Sequence, residues 1–67
     1  AISDIGVGVL LCKSALMGAH LNVLINTSLM KNRDYAEEMN ARAAGMMESG
    51  IQRADLVYQS VRKRIAG

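Results

Sequence analysis

The sequence predicts an all-α fold: an apolar helix over about 5–26, then a long amphipathic helix over about 33–64, both part of a larger helical bundle. Three observations predict it. The 67 residues contain no proline, and Ala, Leu, Met, Glu, Lys and Arg dominate, so helix formers abound and the main helix breaker is absent. From Ile5 to Met30 the only charged candidates are Lys13 and His20. From Tyr35 to Ile65, apolar and small residues recur at helical spacing.

A chain of 67 residues makes at most one domain and is marginally stable without help. Cys12 is the only cysteine, so no internal disulfide forms. One His and one Cys do not close a metal site unless carboxylates or another chain contribute, so no metal is expected. Association remains, with the rest of its own domain or with a second chain.

The net charge of +2 is too weak to argue for nucleic acid, and two tyrosines give no platform for stacking bases. The apolar run has neither a basic leader nor a cleavage site, so no signal peptide is expected. The short match of Asn26-Thr27-Ser28 to the glycosylation pattern is read as chance. A cytoplasmic location, with no membrane or nucleic-acid partner, is the expectation.

Ser3 and Asp4 can each cap the first helix by accepting a hydrogen bond from an early backbone N–H. The helix spans about 30 Å. Gly6 and Gly8 weaken its propensity, which suggests close packing beside them. At about 100° per residue, Asp4, Gly8, Leu11, Ala15, Ala19, Asn22 and Asn26 share one narrow strip. Lys13 and His20 share another edge, beside Met17 and Leu24, and the rest is Leu, Val and Ile. This is the pattern of a helix inside a bundle.

The run is also long enough to span a bilayer. Lys13 near its middle would cost about 2.5–3.5 kcal/mol on insertion scales. Asn22, Asn26 and His20 add to that cost, so a helix buried in protein is favoured.

Thr27 to Lys31 is a turn, and Asn32 an N-cap for the second helix. Asp34, Glu37 and Glu38 follow in its first turns, suiting the dipole. The stripe Tyr35, Met39, Ala43, Met46, Gly50, Ala54, Val57, Val61 and Ile65 repeats every eleven residues. It keeps phase through Gly50, which predicts one unbroken helix of about 48 Å. A break at Glu48-Ser49-Gly50 is the competing possibility, since Gly suits a C-cap. Glu38 and Arg42 have the favourable i,i+4 order. Arg62-Lys63-Arg64 suits the negative end of the dipole. One such helix covers one side of the first, so the remaining apolar surface must meet something further.

The segments Ser3-Asp4-Ile-Gly-Val-Gly8 and Gly18-Ala-His-Leu-Asn-Val-Leu-Ile-Asn26, followed by a turn and a long helix with an acidic start, carry a family resemblance. The chain resembles the C-terminal part of the formiminotetrahydrofolate cyclodeaminase and methenyltetrahydrofolate cyclohydrolase family. The resemblance covers essentially the whole chain, and Asn22-Val-x-Ile-Asn26 is its specific part. It implies a helical, homodimeric fold and folate one-carbon chemistry, with a tetrahydrofolate derivative as substrate and no covalently bound cofactor. One family reaction, a lyase step, closes the 5-formimino form to 5,10-methenyl-tetrahydrofolate and releases ammonia. The other, a hydrolase step, opens the methenyl bridge with water to the 10-formyl form. Both need proton transfer and charge stabilisation at one carbon. Residues 1–67 would then be the C-terminal portion of a single, longer domain. The missing part would supply much of the folate pocket, leaving the isolated chain inactive. The alternative is a non-catalytic helical module for assembly.

Asp4 is the catalytic candidate, as a proton carrier or a partner of the pterin amino group, against the plainer role of a helix cap. Asn22 and Asn26, one turn apart, are the substrate-binding candidates, because an amide both donates and accepts. They could equally satisfy a neighbouring backbone. Asp4 and Asn22 lie about 27 Å apart along the helix, so within one chain they serve different places. Lys13 and His20, about 10 Å apart, form an acid/base candidate or, more simply, a solvent-facing edge. Cys12 among leucines and the methionines of the second helix read as core packing.

Overall fold

The computed structural model describes residues 1–67 as two helices, α1 (Ile2–Ser28) and α2 (Arg33–Ala66), joined by a turn. The pairs Gly6–Val61, Leu16–Gly50 and Thr27–Asn40 run in opposite chain directions, so the helices form an antiparallel hairpin. The hairpin measures 53 × 14 × 12 Å. Both predicted helices are present. α2 passes through Gly50 without a break.

α1 starts earlier than expected. Ala1 precedes its first turn and no side chain caps it. Asp4 is therefore not the cap; it sits inside the first turn, where a carboxylate still suits the positive end of the helix dipole. At the other end the helix continues through Thr27 and Ser28. The Thr27 hydroxyl reaches the Leu24 carbonyl (3.2 Å) and the Ser28 hydroxyl donates to the Ile25 carbonyl (2.6 Å). The Leu29 and Met30 amides donate to Asn26 and Thr27 carbonyls, which tightens the last turn.

Asn32 caps α2 as expected. Its backbone is extended (φ −78°, ψ 96°), and Oδ1 accepts from the Tyr35 amide at 3.1 Å. Asp34 lies in the first turn and Lys63 and Arg64 in the last, matching the dipole at both ends. Glu38 and Arg42 form no ion pair; the hairpin's only interhelical ion pair is Lys13–Asp55.

The seam between the helices has a shorter repeat than the eleven-residue stripe. On α1, Ile2, Gly6, Val9, Lys13, Leu16, His20, Val23, Thr27 and Met30 are buried or half-buried, spaced alternately four and three. On α2, Ala36, Asn40, Ala43, Met47, Gly50, Ala54 and Val61 fit the same spacing. A mean period of 3.5 keeps two packed helices facing each other along their length. The expected stripe therefore coincides with the seam at Ala43, Gly50, Ala54 and Val61; Val57 is exposed, and at Tyr35 and Met46 the stripe is off by one residue. Tyr35, Met46 and Ile65 are exposed, and Ala36, Asn40 and Met47 take the inward places. Ala36 is fully buried close to the turn, while Tyr35 beside it is half exposed.

Small side chains set the closest approach. A Cβ on Gly50 would stand 2.7 Å from Leu16 Cδ1, and one on Gly6 would stand 3.2 Å from Val61 Cγ1. Only Gly6, Thr27, Ala36 and Val61 are buried. The face of α1 turned from α2 is open: Val7, Leu10, Leu11, Met17, Leu21 and Ile25 are all exposed. By length and composition, α1 is apolar enough to cross a membrane, with a mean hydropathy of 1.5 in its most apolar stretch.

Candidate functional site

Asp4, Asn22 and Asn26 lie on the exposed surface of α1. Their strip is turned from the seam by about a third of a turn, so α2 does not cover it. Asp4 has a side chain 86% exposed, 3.5 Å from the amino group of Ala1. Asn26 Nδ2 donates to the Asn22 carbonyl at 2.9 Å, which holds its amide against its own helix. The two asparagines are neighbours; Asp4 is at the other end of α1. One chain does not bring the three together.

Lys13 and His20 face α2, so the expectation of a solvent-facing edge is corrected. The reason is that α1 is apolar nearly all round and offers α2 no single apolar face. Lys13 Nζ donates to Asp55 Oδ1 at 2.8 Å. Its charge is thus engaged across the seam and it makes no acid/base pair with His20. His20 is half-buried and lines a shallow apolar cleft of about 180 Å³ with Leu16, Ala19, Val23, Ala43 and Met47. Met46 edges the same cleft. Cys12 is exposed, so it is no part of this hairpin's core. Met39 and Met47 pack at the seam, and Met46 does not.

A second polar cluster locks the turn. The Thr27 hydroxyl lies 2.6 Å from Asn40 Oδ1 and 3.2 Å from the Leu24 carbonyl. One hydroxyl proton serves one acceptor, and 2.6 Å is the length of an O–H···O bond, so Thr27 donates to Asn40 Oδ1 and the Leu24 carbonyl is the longer, weaker neighbour. Arg33 Nη1 donates to the carbonyls of Thr27 (2.8 Å) and Met30 (3.1 Å), closing the end of α1. Sequence reasoning did not single out Asp55, Asn40 or Arg33. A signal existed for Asp55: an isolated Lys13 in an apolar run needs a partner, and Asp55 follows Ala54 in the α2 stripe. No group of three His, Cys, Asp or Glu side chains is placed to hold a metal ion.

A family model described as formiminotransferase-cyclodeaminase matches residues 1–45. The chain belongs to this family, in its C-terminal part. The match spans α1, the turn and α2 as far as Gly45, so it takes in Asn22-Val-x-Ile-Asn26, the Thr27–Asn40 pair and Arg33. It stops before Met46, so the resemblance is narrower than the whole chain. No curated protein and no solved structure matches. The family's name places the chain in a folate-related context.

Proposed function

We propose that this chain contributes core and dimer helices to a domain that transforms tetrahydrofolate one-carbon units at the 5,10-methenyl bridge. The domain either opens the bridge with water to the 10-formyl form or closes a 5-formimino group onto it with loss of ammonia. The observation that carries this proposal is the formiminotransferase-cyclodeaminase match over residues 1–45, which contains all of α1. Residues 1–67 are then the C-terminal portion of a single helical domain. The exposed apolar residues of α1 support this, because a helix apolar nearly all round needs neighbours on more than one side.

In this proposal the folate is substrate, and the domain works as a cytoplasmic homodimer. Lys13, fixed to Asp55 in the middle of α1, favours protein neighbours over lipid. Asp4 is the candidate to carry a proton, and the amides of Asn22 and Asn26 to read a pterin edge. Both reactions pass through a tetrahedral carbon, so a positioned proton carrier and hydrogen-bond donors are the groups required.

The test is spectroscopic. Full-length protein is mixed with 5,10-methenyl-tetrahydrofolate, and separately with the 5-formimino form, and methenyl absorbance is followed with an ammonia assay. Loss of absorbance identifies the hydrolytic reaction; a gain with ammonia identifies the deaminating one. No change with either substrate rejects the folate function and leaves a helical assembly module.

A further inference from the structure

We propose that one side of α2 docks an acidic helix of another protein, along a row of hydrogen-bond donors made by Arg42, Ser49, Arg53, Ser60 and Arg64. Their spacing alternates between seven and four residues, and all five are exposed. At about 100° per residue they fall within about 60° of one another, so the row runs straight along the helix.

The row is cationic and free of acids. Glu38 lies one turn before Arg42 and ends the row there. Beyond it the acids of α2 are Glu48 and Asp55, which at about 100° per residue lie more than a third of a turn away. Asp55 is already engaged by Lys13, and none of the three arginines has an ion-pair partner. Residues 1–45 hold four acids and four Lys or Arg residues, so the net charge of +2 comes wholly from residues 46–67. Arg53, Ser60 and Arg64 lie in that basic part, beyond the family match.

The repeat of the row selects the partner. Arg42, Arg53 and Arg64 recur every eleven residues, about 16.5 Å along the axis. A second α-helix laid alongside repeats its side chains at the same interval, so its carboxylates meet each arginine in turn. A guanidinium holds a carboxylate with two parallel N–H groups, and each serine between adds a hydroxyl. Met46 and Leu56, 74% and 68% exposed, flank the row on opposite sides and supply apolar contact. Nothing lies within 4 Å of where a Cβ on Gly45 would stand, which leaves room for close approach beside Ser49. Shallow clefts lined by Arg42, Ser49 and Arg53, and by Leu56, Ser60 and Lys63, lie along the same line. Nucleic acid calls for closer-set cations and for aromatic rings to stack its bases. An anionic membrane calls for a continuous apolar face, which this side lacks. The remaining helices of the chain's own domain suit the apolar face of α1; apolar cover over this row would strand three guanidinium groups without partners.

Fluorescence anisotropy with full-length protein tests the proposal. The probe is a labelled synthetic helical peptide of alanine and glutamine, with glutamates at the same seven-and-four spacing. A scrambled peptide of equal charge is the comparison. The spaced peptide is expected to bind more tightly than the scrambled one, and to weaken as salt is raised. Arg42→Gln/Arg53→Gln/Arg64→Gln is expected to weaken it about tenfold. Arg62→Gln, on another side of α2, is expected to leave it unchanged. Circular dichroism checks the helix; should the triple variant lose it, Arg53→Gln alone is read, with a loss of about twofold expected. No binding, equal binding of the two peptides, or binding indifferent to the arginines would overturn the proposal. So would retention on phosphatidylserine vesicles with no preference for the spaced peptide, which would make the row a membrane contact. The assay needs no folate, so its failure is distinct from a failure of the absorbance assay.

Discussion

Lys13 Nζ and Asp55 Oδ1 stand 2.8 Å apart, tying the middle of α1 to α2 across the seam. The two side chains are 35% and 49% exposed. Water therefore screens the pair, and exposed pairs contribute about 0–1 kcal/mol. Lys13→Met is expected to lower stability by no more than about 1 kcal/mol, and adding Asp55→Leu to recover most of that loss. A urea-unfolding double-mutant cycle measures the coupling. A coupling well above about 1 kcal/mol would mean the assembled protein seals the pair from water.

Gly50 and Gly45 make a matched comparison. Both lie inside the unbroken α2, and Ala at an ordinary helix position gains about 1 kcal/mol over Gly. Beside Gly45 there is nothing within 4 Å, whereas a Cβ at Gly50 meets Leu16 Cδ1 at 2.7 Å. Gly45→Ala is expected to stabilise by up to about 1 kcal/mol if that side stays open in the assembled protein. Gly50→Ala is expected to gain little, because Leu16 must swing its methyl aside, and Gly50→Leu to lose about 1–3 kcal/mol by overpacking. Thermal unfolding of the three variants decides it. A large gain from Gly50→Ala would contradict the close approach.

The helices were legible in the sequence for local reasons: no proline, a run of helix formers, and Asn32 placed to cap α2. Their facing was half legible. On α2 the apolar pattern located the seam at Ala43, Gly50, Ala54 and Val61. It slipped near the turn, where Ala36 is buried by the closeness of α1, a tertiary fact that no periodicity contains. On α1 the pattern had no power to choose a side, because nearly every direction is apolar. The seam was decided there by features a hydropathy pattern counts against burial: Lys13, His20 and Thr27. The strip holding Asp4, Asn22 and Asn26 was legible as a strip. What it faces was not, because that depends on chains beyond this hairpin.

Thr27 is buried with its hydroxyl between Asn40 and the Leu24 carbonyl. Thr27→Val keeps the shape and removes the hydroxyl, leaving Asn40 without its partner. The expected loss is about 1–3 kcal/mol, the cost of an unsatisfied polar group at a half-buried position or deeper. Asn40→Leu added to Thr27→Val is expected to restore part of it, because no orphaned amide remains. Denaturant midpoints for the two single variants and the double variant test this. Strictly additive losses would show that the two side chains do not depend on each other.

The turn rests on two side chains with different jobs. Asn32 starts α2 by accepting from the Tyr35 amide, and Arg33 ends α1 by donating to the Thr27 and Met30 carbonyls. Asn32→Ala removes a cap and is expected to cost about 1 kcal/mol. Arg33→Lys keeps the charge, but a single ammonium replaces a planar fork whose one nitrogen here serves two carbonyls. The expected signature is local: faster amide hydrogen exchange at Leu29 and Met30 in Arg33→Lys, and at Arg33 to Ala36 in Asn32→Ala, with the middles of both helices unchanged. If both variants instead loosened the whole hairpin equally, the turn would be the nucleus on which the two helices depend rather than a pair of separable helix ends.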